Sequence, residues 1–248
     1  MKKKIVVLSG AGISAESGIA TFRDGDGLWN NHKIEEVCTP DAWSKNPTLV
    51  NDFYNARRIE VLKAQPNKAH LDLAKAEEEY DIVVVTQNVD DLHERGGSTN
   101  IIHLHGEILK ARSSNPCYDW AGISPDPKIN NFKTYPVDCK GLTINDMADD
   151  GFPLRPHIVW FGESVPKLVD AVYEVEKADA LIVVGTSLSV YPANGLIWHA
   201  NCPIWTVNPD IDLDAEMTMP TRAIRSRATI GIEIALNQIK KYFEKHSN

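Results

Sequence analysis

Lys4-Ile5-Val6-Val7-Leu8-Ser9-Gly10-Ala11-Gly12-Ile13-Ser14-Ala15 is the stretch on which the fold reading turns. Its apolar run shows no alternation of apolar and polar residues. That pattern suits a strand buried on both faces, as in a parallel sheet covered by helices. The run stops at small residues, and helical composition begins at Ile13. Strand, tight glycine turn and helix in immediate succession predict the first unit of an open α/β sheet.

Further runs of the same kind follow. They are Asp81-Ile82-Val83-Val84-Val85, Ile101-Ile102-His103-Leu104, Leu181-Ile182-Val183-Val184 and Pro203-Ile204-Trp205-Thr206-Val207. Residues 41–64, 69–79, 168–178 and 230–244 have helical composition. The expectation is a Rossmann-like, doubly wound parallel sheet within a single catalytic domain. Residues 1–31, 81–112 and 157–248 would form its larger part and 32–80 a helical part. From about 113 to 152 the chain is rich in Pro, Asn, Asp and Gly without a clear period. So long an irregular stretch is too much for a plain loop, and 113–156 is expected to be a small inserted module.

Composition narrows the function classes. The chain has 248 residues, 43% hydrophobic and 24% charged, the profile of a soluble globular protein. Asp and Glu number 34 against 26 Lys and Arg, a formal charge of −8, with no basic cluster of the kind that binds nucleic acid. Aliphatic runs of about four residues fall far short of a membrane span. Lys2-Lys3-Lys4 resembles the start of a signal peptide, but the apolar stretch behind it ends at Ser9-Gly10. A cytoplasmic monomer is expected, with Cys38, Cys117, Cys139 and Cys202 reduced.

Open parallel sheets bind ligands at the carboxyl ends of their strands. Those ends carry Ser9-Gly10-Ala11-Gly12, Thr86-Gln87-Asn88-Val89-Asp90, His105-Gly106, Gly185-Thr186-Ser187 and Asn208. Glycines and small hydrogen-bonding groups at five successive termini point to one polar cleft. Gly10 and Gly12 would let backbone approach a pyrophosphate, although small residues there also serve strand–helix packing. No Gly-Lys-Ser/Thr follows, which excludes a P-loop. A dehydrogenase needs a second strand closed by an acidic residue roughly 20 residues on. That distance falls in Gly27-Leu28-Trp29-Asn30-Asn31, which does not read as a strand.

The motifs GAGISAESGIATFRDGDGLW (10–29), TQNVDDLHE (86–94), HLHGE (103–107), RPHIVWFGE (155–163), VVGTSLSVYPA (183–193) and VNPD (207–210), in this order, resemble the sirtuin (Sir2-type) NAD-dependent protein deacylases. The resemblance extends from Lys4 to about Ala228 and is closest to the bacterial class III branch. It implies that Gly10, Ala11, Gly12, Ser14 and Ala15 bind NAD, together with a covering loop carrying Thr21, Phe22, Arg23 and Trp29. Gln87, Asn88 and Asp90 would shape the nicotinamide and ribose pocket. Gly185, Thr186, Ser187, Asn208 and Ala228 would meet the adenosine side. His105, rather than His103, would be the general base, with Asn88 as the second catalytic residue. In the implied reaction the acyl-lysine oxygen attacks C1′ of the ribose, nicotinamide leaves and an alkylimidate forms. His105 then deprotonates the ribose, and water releases lysine and 2′-O-acyl-ADP-ribose. The peptide would enter as a strand between Val159-Trp160-Phe161-Gly162-Glu163 and Leu188-Ser189-Val190-Tyr191, with Val159, Phe161, Gly162 and Glu163 as substrate-binding residues.

Tyr54 and Arg57 lie three residues apart on a helical segment and so share a face. The pair resembles the branch that removes succinyl and malonyl groups, where Arg pairs with the distal carboxylate and Tyr adds a hydrogen bond. Dual deacetylase and desuccinylase activity is therefore expected; Arg58 is expected to be an exposed helical arginine. Most sirtuins hold a structural zinc with two cysteine pairs. Here Ser113 stands where the first cysteine is expected, and only Cys117 and Cys139 lie in the module. Two thiols cannot complete a tetrahedral site, so no metal is expected; Tyr118, Trp120, Ile123, Ile129, Phe132 and Tyr135 would hold the module instead. The rival readings are a sirtuin-like ADP-ribosyltransferase or NAD glycohydrolase, and a non-catalytic NAD-binding module. The intact VWFGE segment and the Tyr54/Arg57 pair argue against the first, and His105 with Asn88 against the second.

Overall fold

The computed structural model describes residues 2–20, 32–116, 133–188, 191–209 and 221–246, and the backbone of 28–29. β1 (Lys4–Ser9) lies in the interior of a parallel sheet, between β4 (Asp81–Thr86) and β9 (Ala180–Val184). β10 (Ile204–Val207) and β11 (Thr221–Ile224) extend the β9 side, and β5 (Ile101–His103) closes the other edge. The order is β11-β10-β9-β1-β4-β5, with every ladder parallel. This is the Rossmann-like α/β sheet expected. The sequence reading lacked β11, Thr-Arg-Ala-Ile, because an edge strand half open to solvent carries no apolar run.

Alternate residues of each strand face opposite ways, which explains the unbroken apolar runs. Ile5, Val7, Ile82 and Val84 pack beneath α5 (Lys68–Ala76) and α8 (Ala228–His246), against Leu73, Ile232 and Ile239. Val6, Leu8, Val83 and Val85 face α7 (Leu168–Glu176) and a 3-10 helix over Ala193–His199, against Ala171, Val175 and Leu196. All these strand side chains are buried.

The segment expected to be one helix over 41–64 is two, α3 (Pro40–Lys45) and α4 (Pro47–Lys63). Asn46 separates them; its Oδ1 accepts the Leu49 N–H at 3.1 Å, and Pro47 takes the first helical position, where no N–H is required. Leu28–Trp29 does form a strand, β2, but only as a two-residue antiparallel ladder with β3 (His32–Lys33), outside the main sheet. It is not the second Rossmann strand a dehydrogenase needs.

A second sheet, β7-β6-β8, is antiparallel and consists of β6 (Gly106–Ser113), β7 (Thr134–Pro136) and β8 (Leu154–Ile158). β6 starts immediately after His105, and β8 ends immediately before Val159. The small sheet is thus tied to the site at both ends. α4 lies over its base, where Val50, Phe53, Tyr54 and Val61 join Ile108, Ile158 and Trp160 in one cluster. Farther out, Tyr135 packs against Ala111, Val137, Leu142, Ala148 and Leu154. The other aromatic and aliphatic residues expected to hold the module, Tyr118, Trp120, Ile123, Ile129 and Phe132, lie outside the described residues. Among the described residues no helix is long and apolar enough to cross a membrane.

Candidate active site

The registers align Ser9 with Thr86 on one side and with Val184 on the other, so the three central strands end together. The turns that follow meet in the crevice where the strand order reverses. Their glycines answer first to this crowding. A Cβ on Gly10 would lie 2.6 Å from Thr186 Cβ, and one on Gly12 2.7 Å from Gly185 Cα. Gly12 N–H donates to the Gly185 carbonyl at 2.8 Å. Gly185 itself has φ +61° and would drive a Cβ to 2.4 Å from the Ile13 nitrogen. Close packing of two turns thus requires these glycines, with backbone bordering the cleft as the result.

Behind this floor the polar side chains hold one another. Asn88 Nδ2 donates to the Gly10 carbonyl at 3.2 Å and to Ser14 Oγ at 3.1 Å. Ser14 in turn donates to Asp90 at 3.0 Å, and the other Asp90 oxygen accepts the Leu92 N–H, at the start of α6 (Leu92–Gly96). Burial raises the Asp90 pKa above the ordinary carboxylate value, and the hydrogen bonds from Leu92 and Ser14 oppose that rise. Gln87 Nε2 donates to Thr186 Oγ1 at 3.1 Å, and Asn208 Nδ2 to the Thr186 carbonyl at 3.1 Å.

The two histidines of HLHGE differ in what remains free. His103 has both ring nitrogens engaged, Nδ1 with the Asn88 carbonyl at 3.1 Å and Nε2 with Glu94 at 2.7 Å. His105 Nδ1 lies 3.0 Å from the Gln87 carbonyl. A carbonyl only accepts, so Nδ1 must carry the proton, and Nε2 of the neutral ring is left as a base. Burial lowers the His105 pKa, and the Gln87 carbonyl counteracts this only in part. The ring is therefore held in its basic form at neutral pH.

A cavity of about 880 Å³ runs across these groups, a size suited to a large organic ligand. It is bordered on one side by Gly10, Ala11, Gly12, Ser14, Ala15, Thr186, Ser187, Asn208 and Ala228. Gln87, Asn88, Asp90 and His105 occupy the middle, and Val159, Phe161, Gly162 and Glu163 the far side. The structure thus gathers most of the expected residues. Thr21, Phe22 and Arg23 lie outside the described residues, as does the side chain of Trp29.

Four side chains sit differently from their sequence reading. Tyr54 is buried under the cavity wall; its hydroxyl donates to Cys38 Sγ at 3.3 Å and accepts from Trp160 Nε1 at 3.2 Å. Arg57 does not border the cavity and is paired with Glu60 through two hydrogen bonds of 2.7 and 2.8 Å. Arg58, expected on the surface, is fully buried, with Nε donating to the Ile108 carbonyl at 2.8 Å and burial lowering its pKa to about 10. Glu163 borders the cavity, but its carboxylate turns into the protein against Arg155 and Arg112. Trp160 and Tyr191 line the cavity from the two segments expected to flank the peptide; Cys38 and Arg227 also line it and were not anticipated. For Arg227 the signal was available, since it directly precedes Ala228. For Cys38 it was not, because Tyr54 is 16 positions away.

The module's described donors do not fit a tetrahedral zinc site. Ser113 Oγ lies 2.8 Å from Asp150, Cys139 is exposed, and Cys117 is outside the described residues. Among the described residues, the acidic and imidazole groups that come together as a possible ligand set, Glu94, His103 and Glu107, belong to the larger part of the chain.

Residues 10–192 match the model of the Sir2 family. The chain belongs to the Sir2 family. It is 52% identical over 213 residues to an NAD-dependent protein deacylase of Aggregatibacter actinomycetemcomitans, covering 85% of this chain and 95% of that protein. A protein of Bacteroides thetaiotaomicron with the same name is 44% identical over 93% of this chain and 95% of its own length. Among solved structures, a Sir2 homolog–NAD complex superimposes with a TM-score of 0.78 at 38% identity, over 97% of this chain and 91% of that one.

Proposed function

We propose that this Sir2-family chain is an NAD-dependent protein-lysine deacylase acting on acetyl-lysine and on succinyl- and malonyl-lysine. The observation that carries the reading is His105: a half-buried imidazole with its Nδ1 proton directed to a backbone carbonyl, bordering the cavity between the strand-end turns and the Val159–Phe161 segment. NAD would supply an electrophilic ribose carbon and carry the acyl group away, one water being consumed and nicotinamide, 2′-O-acyl-ADP-ribose and free lysine released. Gly10 to Ala15, Thr186, Ser187, Asn208 and Ala228 would hold the dinucleotide. Asn88 and Asp90 would orient its ribose, and Val159 and Phe161 would enclose the acyl-lysine. His105 Nε2 would take the ribose hydroxyl proton.

The acidic-acyl reading rests on α4. Arg57 already binds a carboxylate through two parallel hydrogen bonds, the geometry a succinyl terminus requires. Glu60 is partly exposed, so exchanging it for a substrate carboxylate would cost little. Tyr54 adjoins Cys38 and Trp160, both in the cavity wall. The small module, on this reading, holds no zinc.

Deacylation of acetyl and succinyl versions of one peptide, with and without NAD, tests the proposal. The expected result is NAD-dependent turnover of both, reduced roughly 10²–10⁴-fold in His105→Ala. Arg57→Met should lose succinyl activity by about tenfold or more and keep acetyl activity. NAD consumption without deacylation would instead support the glycohydrolase or transferase reading. Because burial depresses the His105 pKa, the base form persists as pH falls through 6.5 and is lost only below the folded value. The acid limb of kcat/KM should therefore lie below pH 6.5; a limb at or above it would remove His105 as the titrating base.

A further inference from the structure

The segment Trp160-Phe161-Gly162-Glu163 closes on itself. Glu163 N–H donates to the Trp160 carbonyl at 3.0 Å, and Trp160 N–H donates to Glu163 Oε2 at 2.7 Å. Gly162, at φ +92°, makes the reversal. The carboxylate that caps this turn is held from behind. Arg155 on β8 grips it through Nη1 at 2.6 Å and Nη2 at 3.1 Å, and also donates Nη2 to the Ile158 carbonyl at 3.1 Å. The Arg155 guanidinium carbon lies 3.2 Å from the centre of the Trp160 ring. Arg112 on β6 reaches both carboxylate oxygens at 3.3 and 3.4 Å. The side chains of Glu163, Arg155 and Arg112 are only 5, 0 and 7% exposed. On the open side, Val159 N–H donates to the His105 carbonyl at 2.9 Å and Phe161 N–H to the Cys38 carbonyl at 3.0 Å.

The tip of this turn is open to solvent, with Phe161 43% exposed. The turn is fixed by a buried carboxylate at its closure and by backbone bonds to His105 and Cys38. We infer that Glu163, clamped by Arg155 and Arg112, is a positioning residue that sets the turn presenting Val159 and Phe161 to the acyl-lysine, and that it does not contact substrate itself. The inference rests on the deacylase reading of the cavity. A charge-assisted, doubly bonded carboxylate is the suitable device, because an amide at the same place accepts through one oxygen only. The two arginines come from the strands that flank the turn, so the small sheet's geometry is transmitted to the mouth of the acyl pocket. ADP-ribose, at the opposite side of the cavity, would not sense it.

The test measures binding of an acetyl-lysine peptide and of ADP-ribose, with turnover, for the wild type, Glu163→Gln and Arg112→Gln. Glu163→Gln should weaken peptide binding about tenfold, leave ADP-ribose affinity within about twofold, and raise peptide KM far more than it lowers kcat. Arg112, the more distant arm, should give a shift of about threefold in the same direction. Should Glu163→Gln fail to fold, judged by its thermal transition, Arg112→Gln decides by the same measurement. Unchanged peptide affinity in a folded variant would overturn the inference, as would an equal loss of ADP-ribose affinity. A wild type that deacylates while the variants bind peptide normally would sink this inference alone. A wild type that binds no acyl peptide would remove the deacylase reading and the inference together.

Discussion

The six-stranded sheet and the three-stranded module are held in different ways. In the sheet, β1 is sealed between two helical layers and its apolar side chains from Ile5 to Leu8 are fully buried. In the module Ala111, Val137, Leu142, Ala148 and Leu154 form a smaller cluster among the described residues, Ile108 and Ile158 pack under α4, and polar tethers add to both. Asn55 on α4 both donates to the Leu142 carbonyl and accepts its N–H, each at 2.8 Å, as a paired strand would. Arg58 joins the same helix to Ile108 on β6 and to Asn55. The apolar sheet fixes where the strand-end turns lie, while a smaller apolar contact with α4 and a set of hydrogen bonds fix where the module lies. Substitutions should therefore separate the two halves.

The largest effect is expected at Gly185. A side chain there meets the Ile13 nitrogen at 2.4 Å and must adopt φ +61°, with backbone on both sides of the collision. Gly185→Ala should cost about 3 kcal/mol or more in chemical denaturation and weaken ADP-ribose binding with it. A loss below about 1 kcal/mol would mean that the two turns can separate, and the crowding argument would fail. Asn55→Ala should cost less, about 1–3 kcal/mol, because it strands the Leu142 backbone groups and an Arg58 donor. ADP-ribose affinity should hold within about twofold in that variant. A parallel loss of affinity would show that the halves are not separable.

This division also explains what could be read from the sequence. The strands and their polar ends were legible because burial on both faces writes itself as contiguous Val, Ile and Leu, and because a ligand-bearing turn must follow. Gly10, Asn88, His105 and Thr186 were all found in that way. β11 was not, since an edge strand such as Thr-Arg-Ala-Ile has no such pattern. The break at Asn46 was missed although Asn-Pro is a recognisable helix start. The inward turn of Arg58 and Glu163 left no local trace. Each is buried because a distant partner receives it, Ile108 in one case and Arg155 with Arg112 in the other. A charged residue in a helix or turn is exposed more often than not, so only the tertiary contact reverses that expectation. Arg57 shows the converse: it was expected to face an acyl carboxylate beside Tyr54, yet on α4 it pairs with Glu60 and does not border the cavity.

The smallest effect is expected at Ser113, where the module's tethering can be tested apart from the rest. Its hydroxyl donates to both Asp150 oxygens, at 2.8 and 3.0 Å, and its oxygen accepts the Asn115 N–H at 3.1 Å. Asp150 is exposed, so water can replace the hydroxyl, and Ser113→Ala should cost only about 0.5–1 kcal/mol. The Asp150 pKa is lowered despite partial desolvation, through hydrogen bonds from Ser113, Phe152 and Asn115. A depressed carboxylate stabilises the fold above its unfolded pKa and ceases to do so as pH falls through the folded value. The stability gap between wild type and Ser113→Ala should thus be constant near neutrality and narrow below the ordinary aspartate value of 3.8. Metal analysis of the same two preparations should find well under one equivalent of zinc in each, about 0.1 or less. A full equivalent in the wild type, lost with several kcal/mol in the variant, would make Ser113 part of a metal site and the module's tethers secondary to it.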